Sequence, residues 1–243
     1  MKTQKANDTI EDLSIVQTGT LSIEAGEHYN PAFTMYKQQF KKMGDSAIVR
    51  ITSRGKHYLV DTGYADEWNL DPAVRELNKK KLQYNLGLLD LTFKSIAGIF
   101  ITHWHHDHFG NLGLFPHARL YTYELCRDLN LGMIAKQCGF THMMPPVYCK
   151  EGDEFAGCSL LPTPGHTRDH CSLLAKFRGW IFCIAGDAVV SQSYYERGET
   201  WPYNSGNMGK EKCTCAMNSI IEKADFIIPG HGHLFQNYRK KNK

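Results

Sequence analysis

Ile101-Thr102-His103-Trp104-His105-His106-Asp107-His108 is the stretch on which the reading of this chain turns. It places His-x-His-x-Asp-His directly after the apolar run Ile96-Ala97-Gly98-Ile99-Phe100. Imidazole nitrogen and carboxylate oxygen both suit zinc and other first-row divalent ions. Crowded together without a cation, such groups are costly, because histidines repel on protonation and a buried Asp needs a partner. A strand ending in this motif therefore reads as half of a metal site, with room for two ions.

Working outward, three later segments repeat the design of an apolar strand that ends in a ligand. Phe155 to Leu161 leads into Pro164-Gly165-His166, Trp180 to Ala185 into Gly186-Asp187, and Asp225 to Pro229 into Gly230-His231. A Gly precedes each ligand, allowing a tight bend that aims the next side chain into a cleft.

The ordered set His-x-His-x-Asp-His, His, Asp, His resembles the metallo-β-lactamase superfamily. The resemblance runs from the Asp61-Thr62-Gly63 turn to His231. It implies an α/β fold, a four-layer αββα sandwich in a single domain, with a binuclear site at one edge. It also implies ligand roles. His103, His105 and His166 would hold one metal, Asp107, His108 and His231 the other, and Asp187 would bridge both. The cofactor implied is two divalent metal ions, zinc first, with iron or manganese as alternatives. Two ions about 3.5–4 Å apart share and acidify a water, giving hydroxide at neutral pH. Asp107 would orient that hydroxide. Asp61 resembles the carboxylate that holds a ligand histidine from behind, or it caps its own turn. His106, His170 and His233 are extra histidines able to protonate a leaving group. His233 ranks first because Gly232 keeps it at the cleft edge.

The segment Asp107-His108-Phe109-Gly110-Asn111-Leu112-Gly113-Leu114-Phe115-Pro116 resembles the superfamily's small single-domain members linked to RNA cleavage. The expected activity is hydrolysis of a phosphodiester, with single-stranded RNA as substrate. The rival readings are a lactonase or thioesterase acting on a small acyl substrate, a mononuclear iron persulfide dioxygenase, and a non-enzymatic metal-binding module. One major group of zinc β-lactamases carries Cys where Asp187 stands. Lactonases carry Tyr three residues after the bridging Asp, where this chain has Val190, with Tyr194 and Tyr195 nearby. The chain ends at Lys243, so no glutathione-binding helical extension is expected after His231.

Length and composition agree with one large domain. The chain has 243 residues, is 42% hydrophobic and carries a net charge of +3. No apolar stretch approaches the roughly 20 residues that span a bilayer, and the N-terminus lacks an apolar signal core. The expected location is cytoplasmic, with no membrane partner and a homodimer as an option. Eight cysteines without a Cys-x-x-Cys pair read as reduced thiols. Lysines cluster at Lys37, Lys41 and Lys42, at Lys79-Lys80-Lys81, and at Arg239-Lys240-Lys241 with Lys243. Such clusters could track a polyanion.

Residues 1–10 read as loose and residues 11–243 as the domain. A strand is expected over 12–23 with a bend at Gly19. A long loop follows from Gly26 to Met43, then a hairpin across Ser53-Arg54-Gly55. Asp71-Pro72 starts a helix reaching about Leu82. Leu112 to Phe115 forms a helical turn, Ala118 to Tyr123 a strand, and Glu124 to Leu129 a turn or short helix. Asn130 to Val147 reads as a loop, and Lys210 to Lys223 as the helix before the last long strand.

Overall fold

The computed structural model describes residues 9–20, 44–64, 71–137, 139–140, 144–201 and 208–240. The loop expected over Gly26–Met43, residues 1–8, Cys138 and lysines 37, 41, 42, 241 and 243 lie outside them. Two six-stranded sheets form the framework. The first runs β1 (Ile10–Gln17), β2 (Ile48–Ser53), β3 (Lys56–Val60), β4 (Ile96–Ile101), β5 (Arg119–Tyr123) and β6 (Val147–Cys149) in that order. β1 to β3 pair antiparallel, and β3 to β6 pair parallel. The second sheet holds β7 (Glu154–Phe155), β8 (Cys158–Pro162), β9 (Cys171–Phe177), β10 (Trp180–Gly186), β11 (Phe226–Pro229) and β12 (Phe235–Gln236). There only β10 and β11 pair parallel. The helices are α1 (Pro72–Gly87), α2 (His106–Phe109), α3 (Leu131–Gln137), α4 (Gln192–Arg197) and α5 (Gly209–Lys223).

Burial on both faces explains the unbroken apolar strands, since a central strand with both sides covered has no polar face to show. In β4, Ile99 and Ile101 point into a core shared with α1, while Phe100 points between the sheets. Val49, Ile51, Val60, Leu173, Ile184 and Ile228 fill that middle layer. On the far side Met217, Ile220 and Ile221 of α5 cover Cys183, Ala185 and Ile227. The result is the expected single-domain αββα sandwich.

Local departures from the sequence reading have physical causes. β1 starts at Ile10 and ends at Gln17, and beyond Gly19 Thr20 bridges Asp45; positions 21–23 of the expected strand lie outside the described residues. α1 begins as expected, with Asp71 accepting from the Ala73 N–H at 2.8 Å, but runs to Gly87. Leu82 and Leu86, one turn apart, are both fully buried, and each such Leu contributes about 1.5–3 kcal/mol. The expected strand from Phe155 to Leu161 is a hairpin instead, turning at Ala156 and Gly157, whose φ values are 51° and 86°. The loop expected from Asn130 contains α3. The Asn130 side chain accepts from the Met133 N–H at 3.0 Å, and Leu131 joins the core under α1.

Among the described residues, no helix is long and apolar enough to cross a membrane. Seven cysteines among the described residues are free thiols, six of them buried and Cys215 exposed.

Candidate metal centre

The carboxyl ends of β3, β4, β8, β10 and β11 meet at one edge of the sandwich, and each delivers site residues. β4 runs into His103, His105, and the short α2 with Asp107 and His108. β8 leads to His166, β10 to Asp187, and β11 to His231. Two of the glycines carry steric duties. Gly186 has φ 51° and ψ −148°, which turns the chain so that Asp187 faces the centre. A Cβ on Gly230 would overlap the Asp187 carboxylate.

The structure brings all seven expected ligands together in two groups. His103, His105, His166 and Asp187 form one, and Asp107, His108 and His231 the other. Within each group the ligand atoms lie within 4.8 Å of one another. Asp187 spans the groups. Its Oδ2 is 3.1 Å from His166 Nε2 and 3.9 Å from His103 Nε2. Its Oδ1 is 3.3 Å from His108 Nε2 and 3.4 Å from His231 Nε2. Asp107 Oδ2 lies 3.3 Å from His231 Nε2.

This donor set fits divalent ions. His105 Nδ1 faces His103 Nε2 at 3.0 Å and His166 Nε2 at 2.8 Å. Three ring nitrogens at that spacing need a proton or a cation between them. His108 Nε2 and Asp187 Oδ1 are buried and make no hydrogen bond, although they face each other. A shared cation satisfies both atoms.

Partners behind the ligands set which nitrogen points inward. Asp61 Oδ2 lies 2.7 Å from His108 Nδ1, so that nitrogen donates and Nε2 keeps its lone pair for a metal. Asp61 also accepts from Thr102 N and Thr102 Oγ1, both at 2.8 Å. Its φ of 59° is the left-handed conformation that aims it there. Of the two sequence readings for Asp61, the bond to a ligand histidine is the one that forms. His231 Nδ1 lies 2.8 Å from Thr20 O and 3.1 Å from Asp45 O. Carbonyls only accept, so Nδ1 carries the proton and Nε2 is left for a metal.

Electrostatics separates the histidines. Burial pushes His105 down to about 4, with the neighbouring His166 ring adding to the effect. Burial also lowers His103 well below the usual range, with His108 and His105 adding to the effect. Burial works against protonation of His231 too, but Asp187 and Asp107 overcome it and hold this ring up at about 10. His108 is raised in the same way by Asp187, Asp107 and Asp61. Without metal, His108 and His231 thus carry an extra proton at neutral pH, and an incoming cation must displace it. Titrating zinc into metal-free protein should release protons, measured by calorimetry in two buffers of different ionisation enthalpy. Uptake with no buffer dependence would contradict this protonation pattern.

The other histidines divide clearly. His106 is buried, with its ring 4.7 Å from Tyr64, and packs beside Phe109. His170 is fully buried beneath His103 at 4.9 Å between rings, its Nδ1 2.8 Å from Thr163 Oγ1. Both are enclosed in protein rather than open to a leaving group. His233 is exposed on the turn after His231 and takes no part in the hydrogen bonds or ion pairs at the centre. Trp104 packs on Phe109 and donates to Thr122 Oγ1.

A small cleft opens beside His166 and Asp187, lined also by Val190, Tyr194, Glu199, Trp201 and Met217. Sequence reasoning missed Glu199, Trp201 and Met217, because no local pattern marks residues that meet only through the packing of α4 and α5. The described cluster lysines divide, Lys81 and Lys240 being engaged while Lys79 and Lys80 stay largely exposed beside Glu76 on α1. Lys81 is the partner of buried Asp45, Lys240 bonds Asp225 at 2.6 Å, and Lys79 lies 3.5 Å from Glu76.

Comparison with known proteins agrees with this geometry. A profile of the metallo-beta-lactamase superfamily matches residues 42–128. The chain is 32% identical over 182 residues to Metallo-beta-lactamase domain-containing protein 1 of Xenopus laevis, covering 73% of this chain and 67% of that protein. It is 36% identical over 130 residues to hydroxyacylglutathione hydrolase of Synechococcus sp., covering 50% of this chain and 43% of that enzyme. The chain spans about half the length of several other curated relatives. The structure of a B. thuringiensis AiiA mutant with N-decanoyl-L-homoserine bound superposes with a TM-score of 0.63 at 17% identity, covering 92% of this chain and 94% of that one.

Proposed function

The chain belongs to the metallo-β-lactamase superfamily and is a metallo-hydrolase by fold and donor set, and on that premise we propose that it cleaves phosphodiester bonds in single-stranded RNA with two zinc ions as cofactor. The charge of the donor set carries this reading. Among the seven donors only Asp107 and Asp187 are anionic. Two divalent ions bring +4 against their −2, and Asp61 with a bound hydroxide brings the sum to about neutral, so the loaded centre does not repel an anionic substrate and its ions can face the substrate's anionic oxygens. Trp201, half-buried and edge-on to Tyr194 at 5.4 Å, offers a nearby surface on which a base can stack.

When bound, the ions would supply an acidified water and positive charge for the oxygens that gain charge in the transition state. His103, His105, His166 and Asp187 would hold the first ion, and Asp107, His108, His231 and Asp187 the second. Asp107 is assigned the orientation of the attacking water. His233, exposed and one glycine beyond His231, is assigned donation of a proton to the leaving oxygen.

A second reading has its own support. Val190, Met217 and Tyr194 make the cleft wall apolar, and Glu199 would repel a polyanion. That lining suits a small acyl substrate, a thioester or lactone. Fully zinc-loaded protein should be assayed on single-stranded RNA, bis-p-nitrophenyl phosphate, a homoserine lactone and a glutathione thioester. The expected result is turnover of both phosphodiesters, with RNA affinity falling as salt rises. Fast opening of the lactone or thioester with both phosphodiesters untouched would replace the first reading by the second.

A further inference from the structure

We infer that the Lys81–Asp45 ion pair is a positioning device for the second metal group, setting the occupancy of the site made by Asp107, His108 and His231. This rests on the reading that the second group holds an ion. Asp45 is fully buried, and its carboxylate takes the Lys81 ammonium reaching in from α1. Its other oxygen makes no hydrogen bond. A buried carboxylate with one cationic partner is held where that partner is, so Lys81 fixes the backbone at Asp45.

That backbone does two things at the centre. Asp45 and Thr20 exchange both bridge hydrogen bonds, at 2.7 and 3.1 Å, and so hold their carbonyls side by side. Both carbonyls accept from His231 Nδ1. They fix the ring's tautomer and its rotation, directing Nε2 toward Asp107 and Asp187. The Asp45 carboxylate also packs against the Asp61 turn, where a Cβ on Gly63 would lie 2.7 Å from Asp45 Oδ1. Asp61 in turn orients His108. Both histidines of the second group therefore lean on supports that Asp45 braces. The bonds of Asp45 run to Thr20, to Lys81 and to His231, on the side of the second group. The ion pair acts on one half of the binuclear centre.

The test is a zinc competition titration against a chromophoric chelator, with wild-type protein, Lys81→Met and Lys81→Arg. Wild type should bind two zinc ions. Lys81→Met should keep one site at wild-type affinity and weaken the other by about tenfold to a hundredfold, the usual cost of losing a support behind a metal-binding histidine. Lys81→Arg should restore both. In ¹⁵N-histidine spectra of zinc-loaded protein, Lys81→Met should lose the His231 Nδ1–H signal while the His103 signals stay in place. If Lys81→Met fails to fold, Asp45→Asn carries the same measurement, because it removes the charge and keeps the side-chain volume. Two zinc ions at unchanged affinity, or equal weakening of both sites, would overturn the inference. Fewer than two ions in wild type would overturn the binuclear reading beneath it.

Discussion

Asp187→Ala should lower the metal content from two ions per chain to one or fewer, and turnover should fall by more than about a hundredfold. Losing a partner behind a ligand already costs about 10–100-fold, and Asp187 is nearer the chemistry than that. Its two oxygens face four histidine nitrogens at 3.1–3.9 Å, two from each group. Alanine would leave the histidines of both groups without the anion between them. Burial makes this worse, since His108 and His231 owe their raised basicity mainly to Asp187. Elemental analysis and steady-state rates on the same preparation check the prediction. Two ions bound at a normal rate would remove Asp187 from the bridging position. One iron per chain in wild type, with strict dependence on dioxygen, would favour the dioxygenase reading.

Stripping the metals should lower the melting temperature by about 10 °C. A ligand that binds only the folded state, present at about a thousand times its Kd, stabilises by about 4 kcal/mol. In a domain of this size each kcal/mol moves Tm by about 2–4 °C. The native fold pre-assembles the seven donors from four separate strand ends, and the unfolded chain does not, so binding is linked to folding. Calorimetry before and after chelator treatment, with reloading by zinc as the control, measures the shift. A change below about 2 °C would mean that the ions are held weakly or that the donors are already satisfied by one another.

Much of the centre was legible in the chain because its parts are local. His103, His105, Asp107 and His108 fall within six residues after one apolar strand, and the glycines before His166, Asp187 and His231 mark bends. These are short-range constraints of sterics and ligand chemistry, and a sequence displays them directly. The hairpin at Arg54-Gly55 was legible for the same reason, with φ values of 52° and 66° at its two turn residues. The end of α1 was not, because Leu86 extends the helix through burial against strands far away in the chain.

Residue types and spacing alone determined the strand-end ligands and their order, and through their resemblance the sandwich fold. Tertiary structure alone decided which partner stands behind each ligand. Asp61 meets His108 across 47 positions, and Thr20 meets His231 across 211. It alone excluded His106 and His170 from the open cleft, and it turned Lys81 from a surface charge into the partner of a buried carboxylate. The physical reason is range. Backbone bends and ligand spacing are set by neighbours along the chain, whereas tautomer, burial and ion pairing depend on groups that come close only when two sheets and their helices pack.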